Sequence, residues 1–333
     1  MQKENKKDTK INEAMASLNK KYGANAIAQI DKIGRIDIEA ISTNCYSLDH
    51  VFGCGGLPRG RIIEIFGEQS SGKSTLATYI IAQVQKRGGK AVYIDVEYSF
   101  STDYAEKIGV DVDKLVLAQP TTGEEALDMI DIMARTNKID IIVLDSVAAL
   151  VPKKELEGEI GDVSIALQAR MMSKALRMIT RSVSYSKTAV IFINQTRDKV
   201  GVFWGKKTTT SGGKALNFYA SVRLEVKKGK NIVDKNDNVI GNFMGICAVK
   251  NKVASPFRKC EIELIYKKGV DVAGDVLDAS VKNGIVDRAG ASYSFKKDKL
   301  AVGRDKTKEY LIQNPKIFEN IKKELICYEK EQN

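Results

Sequence analysis

Between residues 67 and 74 the chain reads Gly67-Glu68-Gln69-Ser70-Ser71-Gly72-Lys73-Ser74, with the apolar run Ile62-Ile63-Glu64-Ile65-Phe66 before it and Thr75-Leu76-Ala77 after it. Strand, glycine loop and helix, in that order, are the setting in which this spacing forms a phosphate-binding loop. The glycines let the backbone curl so that several N–H groups point at a β-phosphate, and the following helix adds its positive end. Lys73 then reaches the β- and γ-phosphates, and Ser74 holds Mg²⁺. A surface turn that matches by chance is the competing reading.

Carboxylates and amides recur where other apolar runs stop. Ile141-Ile142-Val143-Leu144 closes on Asp145, the usual partner of a phosphate loop, which would enter the Mg²⁺ shell through water. Ala91-Val92-Tyr93-Ile94-Asp95-Val96 leads to Glu97, placed to act as base or orienting acceptor for an attacking water. Ile191-Phe192-Ile193-Asn194 leads to Gln195, an amide that could sense a γ-phosphate. Each has a plainer alternative: a helix-capping acid for Asp145, a solvated acid for Glu97, a strand-end cap for Gln195.

Two further stretches suit a different ligand. Residues 196–213 form a longer loop than compact domains usually carry without a function. The loop mixes cations (Arg197, Lys199, Lys206, Lys207), hydroxyls (Thr208, Thr209, Thr210, Ser211), aromatic rings (Phe203, Trp204) and glycines (Gly212, Gly213). Cations neutralise phosphates, hydroxyls and free N–H groups bond them, and the rings stack on or wedge between bases. Residues 157–163 make a shorter loop that leads into a helix. On that helix Met172, Leu176, Ile179 and Val183 form a core stripe, while Arg170, Lys174, Arg177 and Arg181 recur on another face. A disordered loop and a solvated charged face are the alternatives.

The elements that must position these residues alternate. Strands are expected at 62–66, 91–96, 115–118, 141–144 and 189–193, with helices at 74–87, 103–108, 123–135 and 165–185. Continuous apolar strands separated by helices predict an α/β fold with a doubly wound, mostly parallel sheet and ligands at the strands' carboxyl ends. Runs at 220–226, 247–249 and 261–266 would add antiparallel strands. Beyond residue 268 the strand signal fades into short helical patches (276–281, 309–312, 317–326) around a Gly/Lys-rich middle. At the other end Ile11, Met15, Leu18 and Tyr22 make one helical stripe.

Composition bounds the function. The 333 residues are 43% hydrophobic and 29% charged, and neither a signal-peptide core nor a membrane-length apolar run is present, so the expected location is cytoplasmic. Five cysteines form no Cys-x-x-Cys pair and His50 is the only histidine, which argues against a zinc site and a His-based triad. The net charge of +11 points to a polyanionic partner, although lysine-rich proteomes give the same balance.

Along nearly its whole length the chain resembles the bacterial RecA recombinases. The resemblance rests on the phosphate loop, on Ile94-Asp95-Val96-Glu97, on Val143-Leu144-Asp145-Ser146-Val147-Ala148-Ala149-Leu150 and on Glu157-Gly158-Glu159-Ile160-Gly161-Asp162. Further along, Phe192-Ile193-Asn194-Gln195, Thr208-Thr209-Thr210-Ser211-Gly212-Gly213, Phe218-Tyr219-Ala220-Ser221-Val222-Arg223-Leu224 and Val249-Lys250-Asn251-Lys252 carry it too. It implies an N-terminal helical arm (1–33) that docks on a neighbouring subunit, a RecA-like ATPase core (34–268) and a small α+β C-terminal domain (269–333) that gathers duplex DNA.

The implied activity is that of a DNA-dependent ATPase. It would form filaments of itself on single-stranded DNA with ATP and Mg²⁺, pair that strand with homologous double-stranded DNA and exchange strands. A self-cleaving repressor of the DNA damage (SOS) response is an implied further partner. By the same resemblance Glu97 is the water-activating glutamate, Tyr104 the adenine-stacking tyrosine and Gln195 the γ-phosphate sensor, with Thr75 completing the nucleotide loop. Lys250 and Lys252 match lysines that reach a neighbour's ATP. Arg170 and Arg177 match the DNA-facing surface together with the loops at 157–164 and 196–211.

Three departures stand out. Ser101-Thr102 occupies the stretch before Tyr104 where the family usually has an acid and a proline, Asn217 stands where lysine is common, and the sequence stops at Asn333 without an acidic tail. Two other classes share the nucleotide residues. A ring-forming helicase or repair ATPase would be expected to add a zinc cluster or a processing domain, and a nucleotide-gated scaffold would leave Glu97 idle.

Overall fold

The structure, a computed structural model, describes residues 2–23, 26–27, 38–159, 166–198 and 208–332. The chain divides into two compact units, residues 1–38 and 39–333. In the first, a helix spans Gln2–Tyr22. It begins earlier than its apolar stripe, whose Ile11, Leu18 and Tyr22 are exposed.

The second unit opens with two short antiparallel strands, β1 (Ala40–Ile41) and β2 (Leu57–Pro58), flanking a Tyr46–Phe52 helix that the sequence pattern does not single out. A ten-stranded sheet follows. Its members are β3 (Ile62–Gly67), β4 (Ala91–Asp95), β5 (Val116–Ala118), β6 (Ile141–Asp145), β7 (Ala189–Asp198), β8 (Thr208–Thr210), β9 (Val222–Val233), β10 (Val239–Asn251), β11 (Lys259–Ile265) and β12 (Gly269–Val270). The spatial order is β12-β11-β10-β9-β3-β7-β6-β4-β5, and β8 pairs with β7 beside that path. From β9 to β5 every neighbouring pair is parallel. Antiparallel pairing therefore begins at β10, one strand later than the run at 220–226 predicts.

Alternation along the strands explains the layering. Ile63, Ile65, Tyr93, Ile141, Val143, Ile191 and Ile193 face a cluster that includes Leu76, Ile80 and Ile81 of the Lys73–Lys86 helix. Ile62, Val92, Ile94, Ile142, Leu144, Val190 and Phe192 face the other way, onto the Gly123–Arg135 and Leu167–Ser186 helices. Successive strand residues point to opposite faces, so a run that is apolar at every position is the mark of a sheet covered on both sides. All four expected stripe residues of the Leu167–Ser186 helix are buried, and Arg170, Lys174, Arg177 and Arg181 are exposed.

Beyond β12 lie three helices, Val272–Lys282, Arg304–Gln313 and Pro315–Gln332, with a three-stranded antiparallel sheet, β13 (Asp287–Ala289), β14 (Ser292–Phe295) and β15 (Asp298–Val302). These elements have their own core of Val276, Leu277, Val286, Tyr293, Leu311 and Ile321. Arg304 ties them to the large sheet by bridging Glu263 and Asp278, each at 2.6 Å. No helix among the described residues is long and apolar enough to cross a membrane.

Candidate nucleotide and DNA site

Parallel pairing brings several strand ends to one rim. Register sets Gly67 opposite Gln195 and Asp95 opposite Asp145, so the phosphate loop, both carboxylates and the amide leave the sheet on the same edge. Gly67 has to be glycine, because a Cβ there would lie 2.1 Å from the Val226 carbonyl oxygen. Gly72 has φ +90° at the entry to the Lys73–Lys86 helix, and a Cβ would meet Met244 at 2.4 Å. Both positions need the permissive residue for the loop to close against β9–β11.

The loop fits a nucleotide's phosphates and is built to release its own contacts for them. Lys73 is buried and its ammonium folds back to donate to the Glu68 carbonyl at 2.6 Å. Burial holds that ammonium below the usual lysine range, against the pull of Asp145 and Glu97. Ser71 is buried and its hydroxyl has no hydrogen-bond partner, a group an arriving phosphate oxygen would satisfy. Residues 68–70, with Ser70 at φ +57°, are exposed. Thr75 Oγ1 and the Tyr104 hydroxyl lie 3.3 Å apart, which sets the expected base-stacking ring beside the loop.

Asp145 is buried, and burial pushes its carboxyl above the usual range, while hydrogen bonds from Ser74 and Tyr93 oppose that shift. Ser74 and Asp145 thus meet as a hydroxyl and a carboxylate. Mg²⁺ uses one or two such oxygens, with substrate phosphates and water completing the shell, so the pair fits that ion. Among the described residues no cluster of three His, Cys, Asp or Glu side chains could hold a metal by itself.

Glu97 sits just past β4. Its Oε1 accepts a hydrogen bond from the Ser146 hydroxyl and another from Gln195 Nε2 at 3.3 Å. Three strand ends therefore converge on one carboxylate. Asn194, next to Gln195, donates through Nδ2 to Glu64 at 2.9 Å and to the Ser211 carbonyl at 3.1 Å. Glu64 is fully buried and is also bonded by Arg223. The amide strand end is thus joined to the segment that closes the long loop.

Both ends of that segment pair as strands. β7 continues to Asp198, and Thr196, Arg197 and Asp198 pair with Thr210, Thr209 and Thr208 of β8. Gln168 donates to the Val147 and Leu150 carbonyls and accepts from Gly212 N–H at 3.1 Å, while Gly213 has φ +76°. Arg197 and Thr209 are exposed and Thr210 is buried. Lys199, Trp204, Lys206 and Lys207 lie outside the described residues, as do residues 160–165 of the shorter loop.

Lys250 and Lys252 fall elsewhere, near the end of β10. Lys250 Nζ donates to the carbonyls of Asn217 at 2.5 Å and Phe218 at 3.0 Å, and Lys252 Nζ donates to Phe218 at 3.2 Å. Burial, with the charges of Lys252 and Arg223 beside it, pushes the Lys250 ammonium down to about 8.

Four residues of this region escape sequence reasoning. Asn242 and Tyr266 line, with Ser70, Gly72, Lys73, Ser74 and Thr75, a cleft of about 240 Å³. The aromatic that closes the run at 261–266 was the available signal for Tyr266. Tyr93 reaches Asp145 from within a strand run that reads as core, and Ser146 reaches Glu97 from just past β6, so only register reveals them.

Residues 9–271 match the RecA N-terminal domain and residues 274–327 the RecA C-terminal domain. The chain is 46% identical over 325 residues to Protein RecA of Lactobacillus acidophilus, covering 98% of this chain and 89% of that protein. It is 48% identical over 313 residues to Protein RecA of Syntrophus aciditrophicus, covering 94% and 91%, and 44% identical over 320 residues to Protein RecA of Caulobacter vibrioides, covering 96% and 90%.

Proposed function

Because the chain belongs to the RecA family, we propose that the rim of strand ends described above is where this ATP-dependent recombination and repair protein couples ATP hydrolysis to DNA. It is a DNA-dependent ATPase that binds DNA and forms filaments. The observation that carries the residue assignment is the meeting of Ser146 and Gln195 on Glu97, beside Lys73 and Asp145.

In this reading the phosphate loop residues 67–75 hold the nucleotide, Tyr104 stacks on the base, and Ser74 and Asp145 hold Mg²⁺. When bound, the ion would neutralise charge on the β- and γ-phosphates. Lys73 exchanges the Glu68 carbonyl for a phosphate oxygen. Gln195 exchanges Glu97 for the γ-phosphate, and Glu97, whose Oε2 neither donor engages, takes a proton from water. The move also pulls on Asn194, whose partners are Glu64 and Ser211, so the nucleotide state reaches the loop at 196–213.

The DNA-facing surface is assigned to Arg170, Arg177, Arg197, Lys199, Trp204, Lys206, Lys207, Thr209, Thr210, Ser211, Gly212 and Gly213. The arm (1–33) is assigned to docking on the next subunit and residues 269–333 to duplex DNA, with 34–268 as the ATPase core. A self-cleaving repressor is the proposed regulatory partner and the cytoplasm the proposed location. ATPase activity measured with and without single-stranded DNA tests the coupling: stimulation is expected, and equal rates would overturn it.

Trp204 is the sole tryptophan and tests the loop assignment separately. Its emission should shift or quench when ATP and single-stranded DNA are added together. Trp204→Ala should weaken DNA binding by ~1–3 kcal/mol, the range for loss of one base–aromatic stack, and Trp204→Phe should cost little. Cations govern the salt dependence, so all three proteins should share one slope of log affinity against log salt. An indole shielded from acrylamide and silent to DNA would remove the loop from the DNA surface.

A further inference from the structure

We infer that Tyr93 is a positioning residue for the Mg²⁺–nucleotide shell, acting through Asp145; the inference rests on Asp145 being the carboxylate of that shell. Tyr93 lies in the middle of β4, where every residue is buried, and its hydroxyl donates to Asp145 Oδ2 at 2.7 Å. Register explains the reach. Tyr93 stands opposite Val143 of β6, and Asp145 is two residues further along the same face. A diagonal neighbour in a sheet is within range of an aromatic side chain and out of range of Ser or Thr.

The ring is fixed as firmly as the hydroxyl. It packs on Phe100 with centroids 4.7 Å apart and planes at 53°, and Phe100 N–H donates to Asp95 Oδ2 at 3.0 Å. Asp95 is fully buried and also accepts from Gln119 Nε2 at 3.1 Å. Tyr93 therefore joins the loop that carries Glu97 to the strand that ends in Asp145. With Oδ2 held by the phenol, rotation of the carboxylate is restricted, and Oδ1 would be the oxygen available to the shell. A phenylalanine would fill the same space without a polar atom to bury, so the hydroxyl at this core position calls for a role that the ring alone does not meet.

Partners that orient a metal's ligands typically change metal affinity by 10–100-fold when removed. In the full-length protein, binding of a fluorescent ATP analogue should tighten as Mg²⁺ is titrated. For Tyr93→Phe the Mg²⁺ concentration at half-maximal tightening should rise about tenfold. Affinity in EDTA and the melting temperature should stay close to wild type, because the ring and its packing remain. DNA-stimulated turnover should show the same displaced Mg²⁺ dependence and recover at high Mg²⁺.

Asp145→Asn separates the two layers of the inference. If Asp145→Asn displaces the Mg²⁺ dependence and Tyr93→Phe does not, Tyr93 is a satisfied core residue and the inference is overturned. If neither variant displaces it, Asp145 is not in the shell, which overturns the underlying assignment and Tyr93's role with it. A lowered melting temperature with unchanged Mg²⁺ dependence also counts against the positioning role.

Discussion

Glu97→Gln is expected to bind ATP as tightly as the wild type and to lose most of its DNA-stimulated turnover. The two side chains are nearly the same size, and Oε1 of the amide can still accept from Ser146 and Gln195. What changes is the second oxygen. Neither donor engages Oε2 in the carboxylate, so it is free to take a proton from water, and an amide nitrogen in that position cannot. A positioned general base contributes typically ~10²–10⁴-fold, which sets the expected loss in turnover number. Glu97→Asp should lose activity too, because the shorter side chain withdraws the carboxylate from both donors. Single-turnover hydrolysis with DNA present isolates the chemical step, and a wild-type rate for Glu97→Gln would remove Glu97 from catalysis. Lys73→Ala gives the contrasting pattern. It should fail at nucleotide binding itself, since the phosphate loop loses its only buried ammonium.

The phosphate loop, Asp145, Glu97 and Gln195 were legible in sequence for one physical reason. A parallel sheet buries its strands at every position, so a polar residue at the end of an apolar run marks the rim where ligands bind. The same logic hides Tyr93, which lies inside its run and looks like core until register shows what its hydroxyl meets. Ser146 is hidden because one small hydroxyl after a strand has many ordinary uses.

The three-stranded sheet at β13–β15 was obscured differently. Phe295 pairs with Asp298 across a two-residue turn whose central residues, Lys296 and Lys297, have φ +53° and +72°. Two left-handed residues are what a tight hairpin needs, and the usual signature is Asn-Gly or Asp-Gly. Two lysines meet the geometry at some steric cost and give no signal. The long strands β9 and β10 exceed their apolar cores for a related reason. Beyond Val226 the pairing runs through exposed Lys227 and Lys228, where backbone hydrogen bonds continue after side-chain burial has stopped.

Changing Lys250 and Lys252 together to Ala should leave a subunit that binds ATP but fails to raise turnover on DNA, and mixing it with Lys73→Ala should restore part of the activity. Among the described residues of one subunit, both ammonium groups donate to main-chain carbonyls of the Ala215–Tyr219 helix, while Lys73, Asp145 and Glu97 gather at the strand-end rim. Lys250 is held down to about 8 by burial and by two neighbouring cations, so a phosphate brought beside it would relieve repulsion as well as gain attraction. On the proposal that these lysines act across the filament interface, the next subunit supplies that phosphate. In the mixture, the double variant contributes an intact phosphate loop and Glu97, and Lys73→Ala contributes intact lysines. Only interfaces that pair the two in the right order are complete, so recovery should peak near equal proportions and vanish at either extreme. Each lysine change removes a charge-assisted contact worth roughly 1.5–3 kcal/mol, enough together for a loss of turnover of two orders of magnitude or more. Co-assembly of the two variants on DNA has to be measured alongside, by sedimentation or by energy transfer between labelled subunits. Mixed filaments with no recovered hydrolysis at any ratio would mean that the lysines serve their own subunit and that the ATP site is not shared.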